Sequence, residues 1–325
     1  MVLAGAVVAA SSLAIAWWIG WRSVGTSGAW RTALRDGVPA SIRGLVAAGI
    51  DPNASVTLDP ADGPVLPLHD AIEQHDRAMV AELLQSGADP NLAIDRGGFT
   101  AVHIAVGSTQ CTLIETLAEY GADLDREGGA RTPLMYAIDR RDAACVAELL
   151  RLGARVDVRD PNGETAMDWA IAVNDTGLAA MLRDHGAKIT QDHLFNASRR
   201  SYADMVTWCV SEGGLDPLRR EHGTSALLEA AQSQWRGAAS VKQLLEWGAD
   251  VNEVYVVEGV QGTRALHVAA MVGTLDTVRA LIDAGADVNA ARADGRTALD
   301  LARYRRDKDG AEIAEFLSAR SESGE

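Results

Sequence analysis

The 325-residue chain is 47% hydrophobic, and its 30 basic against 45 acidic residues leave a formal net charge of -15. That balance speaks against nucleic-acid binding, which needs a basic face to displace counterions from phosphate. The acids gather in what read as turns, where they keep the surface soluble; a basic partner surface is the sharper alternative. Lysine occurs only at Lys188, Lys242 and Lys308, and so strong a preference for arginine in an alanine-rich chain points to a GC-rich, bacterial coding genome.

The first predicted element is an anchor. Met1 to Trp21 holds no charged residue, and about 20 helical residues at ~1.5 Å rise span the ~30 Å bilayer core. Trp17, Trp18 and Trp21 cluster at its end, where aromatic rings favour the headgroup level. No Lys or Arg precedes the segment, as a secretory signal would require. Residues 1–22 therefore read as an uncleaved single-pass transmembrane helix, followed by a linker at 23–27. A signal cleaved at Ala14-Ile15-Ala16 and a soluble apolar extension are the alternatives. Arg22, Arg31, Arg35 and Arg43 all lie downstream, which by the positive-inside rule puts the rest of the chain in the cytoplasm. A periplasmic or secreted location is the runner-up, because the arginines beyond Arg22 fall in the first repeat.

Beyond the anchor one phrase keeps returning: LPLHDA at Leu66, TAVHIA at Thr100, TPLMYA at Thr132, TAMDWA at Thr165, RALHVA at Arg264 and TALDLA at Thr297. After the first five, a glycine follows 21 residues from the first position: Gly87, Gly121, Gly153, Gly186 and Gly285. Most of these glycines open a GADxN-like turn. Self-similarity near 33 residues means stacked repeats. Thr132-Pro133 predicts a helix start, since proline at the first helical position loses only an N–H that would be unpaired anyway. Leu134, Ala137 and Ile138 then return at helical spacing, as do Val146, Leu149 and Leu150 in a second helix that Gly153 ends. Leu68/Ala71/Ile72 with Val80/Leu83/Leu84, and Leu266/Ala269/Ala270 with Val278/Leu281/Ile282, repeat the pattern.

These phrases resemble the ankyrin repeat family. The fold class expected is all-α, an ankyrin-repeat solenoid of about nine helix-turn-helix units over 28–320, with a disordered tail at 321–325. The first unit, at Gly28, is degenerate, with Trp30, Ala33, Leu45 and Val46 as its apolar positions. A hidden sixth unit is read at Asp192 by counting back from Gly213. A unit at Ser225 carries a two-residue insertion. The resemblance implies a non-catalytic surface that grips another protein through its concave face and projecting finger loops. It also implies that His69, His103 and His267, at one repeat position, hydrogen-bond between neighbouring loops and hold no metal. The alternative roles are an immunity protein that occludes a toxin or enzyme, and a structural scaffold of a membrane complex.

Departures from the repeat give the candidate contact residues. The usual distance from turn glycine to the next helix start is 11 to 13 residues, but Gly49 to Leu66 is 17, Gly248 to Arg264 is 16 and Gly186 to Asp192 is 6. The second long finger adds Val254, Tyr255, Val256 and Val257, an apolar run that either folds back on its neighbour or meets a partner. Trp235 and Arg236 lie in the insertion of the seventh unit and are further candidates. Arg140 and Arg141, Arg199 and Arg200, and Arg305 and Arg306 fall near the ends of first helices. They are either solvated helix ends or a basic stripe for an acidic partner.

No catalytic constellation is found. DPADG at Asp59 and DPNG at Asp160 lack the ligand spacing of a calcium loop and read as turns. No glycine-rich phosphate loop is present, and Gly223-Thr-Ser-Ala-Leu lacks the second glycine of a nucleophile elbow. Of the three cysteines, Cys145 and Cys209 fall on apolar second-helix positions and read as core hydrophobes. An odd count without close spacing speaks against a disulfide framework or zinc site and is consistent with a reducing compartment. The expectation is a monomer that is not an enzyme and takes no cofactor and no metal, with another protein and the membrane as its partners.

Overall fold

A computed structural model describes residues 30, 33, 39–57, 64–93, 97–234 and 238–323. The predicted anchor, the linker, the DPADG segment, Trp235, Arg236 and the last two residues lie outside them. Among the described residues no helix is long and apolar enough to cross a membrane. The described residues form 17 helices and four short strands, in two compact units that divide after Trp169. The expectation of an all-α chain is corrected in one respect: two of the fingers are β-hairpins.

The first unit opens with helical Trp30 and Ala33 and continues with α1 (Pro39–Ala47), α2 (Pro67–Glu73), α3 (Arg77–Gln85), α4 (Ala101–Gly107), α5 (Thr112–Glu119), α6 (Pro133–Asp139) and α7 (Ala143–Arg151). Strands β1 (Val56–Thr57) and β2 (Pro64–Val65) pair antiparallel in the first long finger. Helix α8 (Ala166–Ala172) contains the division. The second unit runs through α9 (Thr176–Asp184), α10 (Gln191–Arg199), α11 (Ala203–Ser211), α12 (Ala226–Ala231), α13 (Ala238–Glu246), the hairpin β3 (Tyr255–Val257) and β4 (Val260–Thr263), α14 (Ala265–Val272), α15 (Leu275–Asp283), α16 (Ala298–Tyr304) and α17 (Lys308–Ser323).

Each pair forms for local reasons. Thr132 Oγ1 accepts from Met135 N at the start of α6, with Pro133 at the first position. The helix then ends at a residue held at positive φ: His75, Thr109 and Arg141 in the first unit, Asn174 and Ser201 in the second. Directly after it, Asp76, Asp142 and Asp175 cap the second helices by accepting from Met79, Cys145 and Leu178 N–H groups. One second-helix position is fully buried in every such pair: Leu83, Leu117 and Leu149 in the first unit, Leu182, Cys209, Leu244 and Leu281 in the second. A single pair cannot bury both its faces, so within each unit neighbouring pairs complete one another. In the first unit Ile42, and not Leu45 or Val46, is the fully buried residue of α1. The register is nonetheless the one read from Gly28: α1 begins 11 residues on, as α3 does from Leu66, Ile42 takes the place of buried Val80, and Gly49 at φ 88° takes that of Gly87.

The GADxN turns act as a ladder. Gly87 and Gly121 hold φ of 91° and 83°, conformations that a Cβ would strain. Asp89 Oδ1 accepts from Asn91 N, closing the turn on itself. Asn91 then reaches the next turn, donating to the Gly121 carbonyl at 2.8 Å and accepting from Asp123 N at 2.7 Å. Asn53 does the same with Gly87 and Asp89, and in the second unit Asn252 does it with Gly285 and Asp287. At Asp125 the rung is half made, because a carboxylate only accepts, here from Arg155 N.

The sixth pair starts earlier than counting suggests. Its cap is Thr190, whose N–H donates to His193 Nδ1, and the left-handed glycine is Gly214 rather than Gly213. T-x-x-H was therefore present at Thr190, displaced by a first helix of nine residues where α6 has seven.

Candidate protein-interaction surface

The hairpin of the second unit is set by its turn. Glu258 and Gly259 sit at φ of 51° and 78° between paired Val257 and Val260, the left-handed pair that fits a two-residue hairpin loop. Residues then alternate across the strand. Tyr255 is 1% exposed, whereas Val254 and Val256 are 47% and 58% exposed on the other side. Tyr255 packs on Leu228 and Val268, with half-buried Val257 and Val272 against them. Its hydroxyl hydrogen-bonds Ser225 Oγ at 2.6 Å and the Glu253 carboxylate, and the Arg220 guanidinium lies 4.6 Å over its ring. Burial pushes the phenol well above its ordinary pKa. Tyr255 as a contact residue is thus corrected: the run does fold back, by its aromatic member. At the far end, Gly262 at φ 78° lies against the Arg292–Ala293 backbone, and Ala293 N donates to Gln261 O. A side chain there would push the two fingers apart.

The preceding finger lies alongside. Asp216 Oδ1 accepts from Leu218 N, and Arg220 pairs with Glu253 at 3.1 Å. Leu218 is 47% exposed. Two adjoining fingers therefore carry three large exposed aliphatics, Leu218, Val254 and Val256, on a support locked by Tyr255 and Arg220. The arginine candidates of this unit are engaged locally. Arg199 pairs with the nearly buried Glu229 at 3.0 Å, and Arg200 Nε donates to Asn196 Oδ1. Arg305 is fixed by the Gly273 carbonyl and Asp307.

In the first unit Arg140 and Arg141 are exposed, with Arg140 5.7 Å from the Tyr136 ring and Arg141 in the left-handed turn position. His103 Nδ1 accepts from Thr100 N while Nε2 meets the Arg131 carbonyl of the next loop. In the second unit His267 bridges Arg264 N and Ala290 O in the same way, and burial lowers its pKa. Asp168 and Asp300 serve the same caps from Thr165 and Thr297, and the Thr297 N–H bond draws the Asp300 pKa down. DPNG closes as a turn, with Asp160 Oδ1 accepting from Asn162 and Glu164 N–H groups.

One reading is overturned. Cys111 and Cys145 form a disulfide, their Cα atoms 4.7 Å apart. They are 34 residues apart, one repeat plus a residue, so stacking makes them neighbours; reading the spacing against the repeat period would have paired them. Both sulfurs and an Asp142 oxygen lie within 4.8 Å of one another. That donor set could hold a metal only with the bond reduced, since bonded sulfurs are not thiolates. Cys209 is a buried free thiol, pushed up to about 12 by burial. Cys111, Thr112, Glu115, Ala144, Glu148 and Arg151 line a pocket of about 420 Å³ beside the bond.

Relatives share the repeats under widely different names. The palmitoyltransferase-named ZDHHC13 of Danio rerio is 27% identical over 223 residues, 68% of this chain and 30% of that one. Mouse ankyrin repeat and SOCS box protein 6 is 40% identical over 98 residues, 29% of this chain and 23% of that one. The chicken nuclear factor NF-kappa-B p105 subunit is 28% identical over 210 residues, 59% of this chain and 21% of that one. The chain spans less than a third of the length of each. The pattern described as ankyrin repeats matches residues 32–128, 125–193 and 253–323. With the helix pairs, the turn ladder and the loop-bridging histidines, this establishes that the chain belongs to the ankyrin-repeat family.

Proposed function

We propose that the chain is a membrane-tethered, non-catalytic adaptor that holds a partner protein on the paired fingers of its second unit. Ankyrin repeats are a protein–protein interaction module, and the fold is typically non-catalytic. The observation that carries the reading is the exposure of Leu218, Val254 and Val256 on two interlocked fingers. Aliphatics so placed are costly in water, and clustered exposed apolar surface marks contact sites. Arg219, Glu221 and Glu258 lie on the same two fingers and carry both signs of charge, which suits an apolar-centred interface with a polar rim.

Tethering rests on the uncharged Met1–Trp21 segment with its tryptophans. On orientation two signals compete. The downstream arginines favour the cytoplasm, and the Cys111–Cys145 bond favours an oxidising compartment. The arginines also serve the first repeat, whereas a disulfide persists most readily in an oxidising compartment, so we assign the repeats to the oxidising side. The test is capture by the full chain and by its Val254→Asp/Val256→Asp variant, compared band by band. A protein retained by the first and lost by the second supports the reading. Identical retention by both removes the fingers from the site.

A further inference from the structure

The Cys111–Cys145 bond has features beyond a passive cross-link. It joins the starts of the second helices of two consecutive repeats: Cys111 immediately precedes α5 and Cys145 is the third residue of α7. The two sulfurs differ in access. Cys145 is fully buried, whereas Cys111 is half-buried and lines the 420 Å³ pocket. Thiol exchange needs a nucleophile at a sulfur, and only Cys111 Sγ offers one an approach. The approach is acidic. Asp142 places both carboxylate oxygens 3.7 Å from Cys111 Sγ. Glu115 and Glu148 line the pocket, and both pair with Arg151, which also lines it, at 2.8 and 2.7 Å. Hydrogen bonding to Arg151 holds the Glu148 carboxyl below its usual range, so it stays charged. Three carboxylates against two guanidiniums, Arg151 and the Arg77 that donates to Thr112 Oγ1 at 2.7 Å, leave the route to Cys111 with a net negative charge.

We propose that this disulfide is an exchangeable lock between the two repeats, opened through the pocket at Cys111 by a small thiol that is cationic or neutral, and shielded from anionic thiols. The attacking thiolate forms a bond to Cys111 Sγ. The Cys111–Cys145 bond breaks, and its electron pair passes to Cys145 Sγ, which takes a proton from water. A second thiolate attacks the outer sulfur of the adduct, releases the small disulfide and leaves Cys111 as a thiol. The protein is reduced by two electrons and two small thiols are oxidised to one disulfide.

The full chain is treated with cysteamine, 2-mercaptoethanol or 3-mercaptopropionate, quenched in acid, and its cysteine peptides weighed. Each rate is divided by that of the same thiol on a small model disulfide. We expect the adduct on Cys111, and a normalised rate for the cation about tenfold above the anion at low ionic strength, shrinking toward parity at 1 M salt. In Glu115→Gln/Glu148→Gln the anion should gain several-fold while Cys209 stays unmodified. Adducts on Cys145, equal normalised rates at low salt, or free Cys111 and Cys145 thiols after mild oxidation would each overturn the proposal.

Discussion

The GADxN turns and the β3–β4 hairpin do the same job, joining one helix pair to the next, by opposite means. In the turns, Asn53, Asn91 and Asn252 spend each polar atom on the following turn, and the link is built from hydrogen bonds at the surface. In the hairpin, a buried aromatic carries the link, with its hydroxyl tied to Ser225 and Glu253 and its ring under Arg220. Where asparagine closes the turn, no large apolar side chain of the turn is left exposed. The hairpin buries one residue and, because strands alternate, exposes the two on either side. A finger long enough to present Val254 and Val256 is therefore one that needed Tyr255 to hold it.

If that division is right, Tyr255→Ala costs about 3–5 kcal/mol, the range for removing a buried aromatic; chemical denaturation measures it, and a loss near zero would place the ring outside the core. The first unit has a covalent cross-link between consecutive repeats. Reducing Cys111–Cys145, which closes a separation of 34 residues, should lower stability by about 3–4 kcal/mol on the loop-entropy account. A melting temperature unchanged by reductant would mean that the lock is mechanically idle.

Smaller effects probe the loop bridges. His267 is buried and neutral, with a pKa below the ordinary 6.5, so the unfolded chain binds its proton first as pH falls. Its contribution is fully present above about pH 6.5 and is lost as pH drops from there through the folded value. His267→Gln should flatten the stability profile across that window; an unchanged profile would assign the acid sensitivity elsewhere. The smallest expected change is a gain. Asp125→Asn supplies the donor that its rung lacks and should add about 0.5–1 kcal/mol, read as a rise in melting temperature; a fall would show that Arg155 N needs the charge.

The sequence was most legible where it repeats. Thr132, Gly87 and Leu281 have one role each because local geometry assigns it: a cap, a left-handed turn, a core position. His103 and His267 were legible by resemblance and fell between loops as expected. The direction of Tyr255 was not legible, since V-Y-V-V alternates equally well in either register and only the Glu258–Gly259 turn decides which residue points inward. The disulfide was missed because cysteine spacing was judged along the chain, whereas stacking brings Cys111 beside Cys145. The sixth pair was misplaced by two residues because α10 is longer than the other first helices, and the count from Gly213 could not register that.

A partner seated on the interlocked fingers of the second unit would shield their backbone amides from solvent. Hydrogen–deuterium exchange on the full chain, with and without the captured partner, tests it directly. The account predicts new amide protection over 216–224 and 253–263, with the turns at Gly87 and Gly121 unchanged. Protection confined to other segments, with both fingers exchanging as before, would contradict it.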